Sequence, residues 1–290
     1  MAENTERELN AVNRKKRVKR IKRIIVGTCI TLLLLPTILS IFLMIKVFSL
    51  ENEIAKLSEN KAKAEQQEVV LAKERKEPEA TAVPIQKKVY LTFDDGPGAE
   101  TEKILDILKE NDVKATFFVT GKEDVRAKKI VKRIAKEGHT LGMHSYSHIY
   151  DEMYHSEQAF ARDFDKIYRY LQDLTGQKPE WYRFPGGSST QYMELPIQTF
   201  ISVLDKKEVN YLDWNVISPD ISNPSATKNQ IITGIVEGVA QFDASVVLMY
   251  DAANKPMTVK ALPLIIKKLK QENYELLPVG ENTPLVQHND

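Results

Sequence analysis

The chain has 290 residues, of which 42% are hydrophobic and 28% charged, and its formal net charge is +1 at pH 7. This near-neutral balance gives no reason to expect a nucleic-acid partner, because such partners require a strong positive excess. The length leaves room for one core-forming domain of about 200 residues together with accessory segments.

A basic cluster near the start of the chain is followed by an uncharged stretch from Ile24 to Ile45. About 22 residues rising ~1.5 Å each can cross a hydrocarbon core of ~30 Å. The cluster on the N-terminal side predicts a cytoplasmic N-terminus and an exported remainder. We therefore predict a cytoplasmic arm over 1–23 and a single-pass anchor in the lipid bilayer of the cell membrane over 24–46. A cleaved signal peptide is the alternative, but its apolar region typically has only about 7–15 residues.

Apolar residues after the anchor recur in steps of three and four, which is typical of a helix. Lys61 and Glu68 occupy positions where a coiled-coil seam would be apolar, so a single solvated helix and a monomer are favoured over the alternative of a dimeric coiled coil. Pro78 and Pro84 then indicate a linker. Residues 47–85 are thus predicted as an extracellular helical stalk and linker. The single cysteine, Cys29, lies in the predicted anchor, so the exported part has no disulfide.

The region 86–290 alternates strand-like and helix-like patterns. Strand-like runs cover 89–93, 115–119, 139–143 and 246–250, and helix-like runs cover 101–110 and 127–136. Such alternation predicts an α/β domain with a parallel sheet or barrel. Functional groups are then expected on the loops that follow the strands.

Two adjacent carboxylates, Asp94 and Asp95, end the first strand-like run and are followed by Gly-Pro-Gly. Two acids at the end of a buried strand repel each other unless a cation or a proton separates their roles. The alternative is an acidic turn on the protein surface. The acid pair therefore indicates a metal site only if other metal-ligating side chains lie nearby.

Two histidines about fifty residues downstream supply such ligands. His144 and His148 are four residues apart, and one helical turn would place both imidazoles on the same face. Two imidazoles with one carboxylate form a metal-ligand set that leaves positions open for water and substrate. The same set also suits a non-haem Fe(II) oxygenase, so the ligands alone do not choose the chemistry.

Several motifs in order resemble the polysaccharide deacetylases of the NodB type, carbohydrate esterase family 4. The resemblance covers about residues 86 to 280, and its five motifs in order are Thr92-Phe93-Asp94-Asp95-Gly96-Pro97, His144-Ser145-Tyr146-Ser147-His148, Arg183-Phe184-Pro185-Gly186-Gly187, Trp214–Asp220 and Val247–Asp251. Ala115–Gly121 resembles the second strand of that family. It implies a distorted (β/α) barrel with the ligands gathered at the carboxyl ends of the strands.

The resemblance also implies a division of roles among these residues. Asp95, His144 and His148 would hold a divalent cation, with Zn²⁺ as the expected ion and Co²⁺ or Mn²⁺ as alternatives. Asp94 would act as general base, and Arg183 would orient it and tune its charge.

Substrate-binding positions follow from the same motifs. A backbone N–H at Tyr146 or a neighbour is a candidate donor to the oxyanion, and Pro185 and Gly186 of the third motif are expected to border the substrate. Leu248 and Trp214 are candidates for an apolar pocket for the acetyl methyl group, although core packing suits Trp214 better.

The fifth motif departs from the family pattern. The family carries a histidine where this chain has Tyr250, and that histidine protonates the departing amine with Asp220 as its partner. A phenol with a pKa of about 10 is a poorer proton shuttle near neutral pH than an imidazole of about 6.5. Three outcomes stay open: Tyr250 acts as the acid, another residue such as His155 or Asp251 replaces it, or turnover is slow.

The function expected from these motifs is that of a hydrolase acting on carbon–nitrogen bonds other than peptide bonds. It would remove acetyl groups from N-acetylglucosamine in a cell-envelope glycan, either peptidoglycan or a wall-linked polysaccharide. The alternative is a catalytically impaired relative that binds glycan without turnover.

Overall fold

The computed structural model describes residues 86–253 and 255–288, together with the isolated positions 22, 43, 44, 46–50 and 56. The chain divides into two units, Met1–Ala82 and Val83–Asp290, and the fold is described for the second. Within the described part, no helix combines the length and the apolar character that a membrane crossing needs. The predicted anchor over 24–46 and the stalk over 47–85 fall almost entirely outside the described residues, so both stay predictions.

An eight-stranded sheet forms the centre of the described domain, and every pairing in it is parallel. Its strands are β1 (Lys88–Asp94), β2 (Thr116–Val119), β3 (Thr140–Met143), β4 (Trp181–Tyr182), β5 (Asn210–Tyr211), β6 (Val216–Ile217), β7 (Ala244–Tyr250) and β8 (Glu275–Leu276). The strand order is β5-β4-β3-β2-β1-β7-β6, and β8 pairs with the first residues of β1. All carboxyl ends therefore lie at one edge of the sheet.

Helices connect successive strands and cover the outer face of the sheet. They are α1 (Ala99–Glu110), α2 (Val125–Lys136), α3 (Tyr150–Met153), α4 (Glu157–Thr175), α5 (Ile197–Asp205), α6 (Pro219–Ser222), α7 (Lys228–Val239) and α8 (Pro256–Gln271). Their boundaries carry ordinary capping signals, such as Ser156, whose side chain accepts a hydrogen bond from the Ala159 N–H at the start of α4. The four strand-like and two helix-like runs predicted from the sequence match β1, β2, β3, β7, α1 and α2 to within two residues at each end.

Alternate side chains of β1 lie in two different buried clusters, one on each face of the sheet. Val89, Leu91 and Phe93 belong to the large cluster between sheet and helices, and Tyr90 belongs to a smaller cluster on the inner face. Because side chains in a strand alternate between faces, Asp94 points to the same inner side as Tyr90 and Thr92. The first acid of the pair is thus directed into the interior of a curled sheet.

The sheet is curled rather than closed, since its order has two ends, β5 and β6. The C-terminal segment lies against this open side. Val279 is buried in the inner cluster and Val286 packs on it, and the Asp213 N–H after β5 donates to the Val286 carbonyl at 2.8 Å. The predicted distorted barrel is therefore observed as a parallel half-barrel, whose inner face is filled partly by this segment.

Candidate metal-dependent active site

Strand register brings the candidate residues together at the carboxyl edge of the sheet. Asp94, the last residue of β1, is aligned with Tyr250 of β7. Met143 of β3 is aligned with Tyr182 of β4, so His144 and Arg183 each follow directly on neighbouring strands. Because parallel strands keep one direction, these residues converge although they are up to about 150 positions apart in sequence.

Arg183 lies fully buried beneath the site and contacts Asp94. Its Nη1 donates to Asp94 Oδ1 at 3.0 Å and to Thr92 Oγ1 at 2.6 Å. Its remaining nitrogens donate to the carbonyls of Leu212 and Asp213 at 2.8 Å each. A buried guanidinium with this many acceptors is rigid, so it fixes one Asp94 oxygen and leaves Oδ2 directed toward His144, 3.9 Å from its Nε2.

The histidine-bearing segment is a loop and not a helical turn, so the expected i, i+4 helical geometry is wrong. Ser145 and His148 have φ values of 70° and 55°, and the His148 N–H donates to Ser145 Oγ at 2.9 Å. These left-handed residues curl the backbone and turn the His148 side chain back toward Asp95. Asp95 itself has φ 76°, which directs its carboxylate away from β1 and toward the imidazoles.

Asp95, His144 and His148 fit a metal ion. Each offers a ligand atom, and these atoms all lie within 4.8 Å of one another. Asp95 Oδ1 is 3.6 Å from His144 Nε2 and 3.3 Å from His148 Nε2. Two ligands bound tetrahedrally at ~2.0–2.1 Å to zinc would stand ~3.3 Å apart, close to these values.

Hydrogen bonding leaves both metal-facing nitrogens free. His144 Nδ1–H donates to the Arg183 carbonyl at 2.8 Å, so its Nε2 keeps its lone pair. His148 Nε2 is buried without a hydrogen-bond partner among the described residues. A buried imidazole nitrogen that has no hydrogen-bond partner and lies beside a carboxylate fits the role of a metal ligand.

The charges of these groups follow from their burial. Burial lowers the pKa of His144 to about 4 and lowers that of His148, whose neighbour His144 adds to the effect, so both imidazoles are neutral near pH 7. Burial also raises the pKa of Asp94 to about 7, against the opposing effect of Arg183. Neutral imidazoles are the form that binds a metal, and a carboxylate poised near neutrality suits a general base.

Tyr146 does not offer its backbone N–H to a substrate. That N–H donates to Asp163 Oδ2 at 2.7 Å, and the next N–H, of Ser147, donates to Asp163 Oδ1 at 2.8 Å. The Tyr146 ring points away, with its hydroxyl on Glu123 and its face under Lys166. The Tyr146 N–H is therefore occupied by Asp163, and an oxyanion role for Tyr146 or a neighbour stays a prediction.

Tyr250 of the fifth motif lies beside Asp94, but Asp220 of the fourth motif is bonded to other groups. Burial, with Asp94 and Asp95 nearby, raises the pKa of Tyr250, so its phenol stays protonated. Asp220 is buried and accepts from the hydroxyls of Ser218 and Thr258. The serine and threonine hydroxyls thus satisfy this aspartate.

His155 and Asp251 are the two alternative proton donors considered from the sequence, and both contact groups outside the metal-ligand set. His155 is exposed and its Nδ1 is bonded to the Glu152 carbonyl at 2.9 Å. Asp251 is buried behind the turn at Gly96, where a Cβ would lie 2.2 Å from its Oδ2, and that oxygen accepts from Thr101 at 2.6 Å. Burial raises the pKa of Asp251 to about 7, but its contacts hold the turn after Asp95.

The remaining predicted positions border the site. Leu248 is 2% exposed and aligned with Thr92, one layer below the Asp94–Tyr250 pair. The Pro185 carbonyl accepts from the Tyr154 hydroxyl at 2.9 Å, and Gly186 has φ 81° and lies against Tyr150. Trp214 packs on the inner cluster, in agreement with the core role preferred from the sequence.

Comparison with known proteins identifies the class to which this site belongs. The Polysaccharide deacetylase family model matches residues 82–199. YheN of Bacillus subtilis is 37% identical over 194 residues, which cover 65% of each chain. A peptidoglycan-N-acetylglucosamine deacetylase of Bacillus cereus is 32% identical over 194 residues, or 66% of this chain and 68% of the relative.

Solved structures agree with this class. The catalytic domain of a peptidoglycan N-acetylglucosamine deacetylase from Eubacterium rectale has a TM-score of 0.66 and 37% identity, over 73% of this chain and 99% of that domain. BA3943 of Bacillus anthracis, described as a pseudoenzyme of carbohydrate esterase family 4, has a TM-score of 0.56 and 26% identity over 67% of this chain and 64% of its own. The present chain belongs to the polysaccharide deacetylase family, as its motifs predicted.

Proposed function

We propose that this protein is a membrane-anchored, metal-dependent deacetylase that removes acetyl groups from N-acetylglucosamine in a cell-wall glycan, on the outer side of the cell membrane. The observation that carries the proposal is the Asp95, His144 and His148 set, with His148 Nε2 buried and unpartnered. The names of the Bacillus cereus and Eubacterium rectale relatives support N-acetylglucosamine as the target. Peptidoglycan is the first substrate to test, and a wall-linked polysaccharide is the second.

The residues divide the chemistry between them. A divalent ion held by Asp95, His144 and His148, with Zn²⁺ expected and Co²⁺ or Mn²⁺ as alternatives, would polarise the acetamide carbonyl and acidify a bound water. Asp94 accepts the proton of the attacking water at Oδ2, because Arg183 occupies Oδ1. Leu248 lies one layer below this point and is the residue proposed to border the acetyl methyl group.

Acetate release from N-acetylated peptidoglycan by the full chain tests the proposal. Treatment with a chelator should abolish release, and added Zn²⁺ or Co²⁺ should restore it. Asp94→Asn should lower kcat by ~10²-fold or more while metal affinity stays within a few-fold, because the base is lost and the ligands remain. Asp95→Asn, the matched control on the neighbouring acid, should weaken metal binding itself.

The alternative is a catalytically impaired, glycan-binding relative, and BA3943, described as a pseudoenzyme, is one member of the family without activity. The complete ligand set and the Asp94–Arg183 pair of this chain favour the enzyme. Glycan binding without acetate release, for every wall substrate and metal tried, would establish the impaired relative instead.

A further inference from the structure

The loop after β2, residues 120–123, contacts both segments that carry the candidate metal ligands, and it is here called the bridging loop. The Thr120 N–H and the Thr120 hydroxyl both donate to the Gly96 carbonyl, at 2.8 and 3.0 Å. The Gly121 N–H donates to the Tyr146 carbonyl at 3.1 Å, and a Cβ at Gly121 would overlap the Tyr146 ring. The bridging loop therefore joins the turn after β1 to the histidine-bearing loop.

Lys122 is the residue of the bridging loop whose side chain reaches a candidate metal ligand. Its Nζ donates to the Asp95 carbonyl at 2.7 Å, and no other donor in the described part of the chain bonds that carbonyl. The Lys122 backbone is itself fixed. Its N–H donates to the Thr120 carbonyl at 3.0 Å, and its carbonyl accepts from the Tyr170 hydroxyl of α4. The ammonium thus reaches Asp95 from an anchored position.

The backbone conformation of Asp95 needs support from its surroundings. Its φ of 76° lies in the left-handed region, which residues other than glycine rarely adopt. Such a conformation persists only when neighbouring groups hold it. A charge-assisted hydrogen bond to the carbonyl of the same residue opposes rotation of its peptide. Lys122 therefore acts on the orientation of the Asp95 carboxylate through the Asp95 backbone.

We propose that Lys122 is a positioning residue of the candidate metal site, which holds Asp95 in the conformation that presents its carboxylate to the ion. The inference rests on the metal-ligand set of the proposed function, but it does not depend on turnover. Lys122 is exposed, and water competes for the hydrogen bonds of an exposed ammonium. We therefore expect the residue to affect metal affinity and to contribute little to the stability of the fold.

The charge of Lys122 and its hydrogen bond to Asp95 have opposite effects on a cation. Burial, and after it the neighbour His144, lower the pKa of His148, and the charge of Lys122 acts in the same direction. A positive charge that reaches the site repels a divalent ion, so loss of the charge alone would strengthen metal binding. Loss of the support for Asp95 would weaken metal binding. The sign of the change therefore distinguishes the two roles.

Metal affinity of Lys122 variants tests the proposal. Lys122→Met removes the ammonium and keeps a long side chain, whereas Lys122→Arg keeps a charged donor. Zn²⁺ affinity of the full chain and of each variant is measured by competition with a chromophoric chelator. Lys122→Met should bind Zn²⁺ about 10-fold more weakly, as is typical when a group that orients a metal ligand is lost. Lys122→Arg should stay within about threefold of the unmodified protein, because a guanidinium also donates to a carbonyl.

Lys129→Met is the matched control, because it removes the same charge from an exposed position on α2. Its Zn²⁺ affinity should equal that of the unmodified protein. Urea unfolding of the metal-free proteins should give the same midpoint for all variants. A lower midpoint in Lys122→Met that accounts for its weaker Zn²⁺ binding would show a general structural role and overturn the proposal.

Equal or tighter Zn²⁺ binding in Lys122→Met would also overturn the proposal, since only the repulsive charge would then have been removed. If the unmodified protein binds Zn²⁺ but releases no acetate, weaker binding in Lys122→Met still supports this inference, and the proposed enzymatic activity alone fails. Absence of Zn²⁺ binding in the unmodified protein would refute the metal site and this inference together.

Discussion

Asp94 and Asp95 are neighbours in sequence with opposite surroundings. Asp94 ends β1 on its inner face and is 2% exposed, where Arg183 contacts one of its oxygens. Asp95 adopts φ 76° and faces two imidazoles. The alternation of a strand, followed by one left-handed residue, thus assigns the two acids to different partners.

Tyr250 is the residue at which the proposed mechanism is least like that of the family. Burial, and after it the nearby Asp94 and Asp95, raise the pKa of Tyr250, which disfavours transfer of its proton to the departing amine. Tyr250→Phe should therefore change kcat by less than about threefold. Tyr250→His introduces an imidazole with a pKa of about 6.5 and should increase kcat at neutral pH.

Acetate-release kinetics of the two variants, with metal affinity measured in parallel, provide the check. Unchanged metal affinity would show that the ligand set is intact in each. A loss of ~10²-fold or more in Tyr250→Phe would identify the phenol as the acid and contradict this expectation.

At the scale of elements, the loop 144–148 depends on helix α4. Asp163 on α4 accepts two backbone N–H groups of this loop, at 2.7 and 2.8 Å, between its two histidines. A carboxylate that accepts two N–H bonds is a rigid clamp. Asp163 thus holds the left-handed conformation that turns His148 toward Asp95.

Asp163→Asn should lower metal affinity about 10-fold or more, because an amide has one acceptor oxygen and cannot accept both N–H groups. Asp173→Asn is the matched control, an exposed aspartate on the same helix. Affinity is measured by competition with a chelator, and unfolding is measured in the metal-free protein. Equal metal affinity in both variants would show that the clamp is not needed.

At the scale of the molecule, the C-terminal segment completes the inner face of the half-barrel. Val279 is 2% exposed and its N–H donates to Thr116 Oγ1 at 2.8 Å, while Val286 accepts from the N–H of Asp213. The segment therefore supplies both apolar packing and hydrogen-bond partners along the inner face of the sheet, from β2 to the end of β5.

Removal of residues 279–290 should lower the free energy of unfolding by roughly 2–5 kcal/mol, from one fully buried valine and the hydrogen bonds that are lost. Urea unfolding of the full chain and the shortened chain measures the difference. Leu285→Ala, at a 55% exposed position in the same segment, should change stability by less than about 0.5 kcal/mol. A shortened chain as stable as the full one would refute this role.

Local sequence patterns predicted much of this arrangement. Alternating apolar residues located β1 and β7, and the order of the motifs identified the family and the candidate ligands Asp95, His144 and His148. The helical geometry expected for the two histidines was wrong, because spacing of four does not distinguish a helix from a curled loop.

Other features had no signal in the sequence. Asp163 reads as one more polar residue on the solvent face of an amphipathic helix, and Tyr192 as one residue of a polar loop. Their contacts arise only when α4 packs beside β3 and when the loop after β4 folds over α3. Such contacts depend on how helices and strands pack together, and the local pattern of residues does not predict that packing.

The sequence by itself determined the four longest strands, the family and the identity of the candidate metal ligands, because these depend on residue type and on short-range periodicity. Only the tertiary structure decided which oxygen of Asp94 is bound by Arg183, which groups hold the histidine loop and which aromatic ring remains exposed beside it. Those outcomes depend on strand register and on which buried groups find partners, and both are properties of segments that lie far apart in the chain.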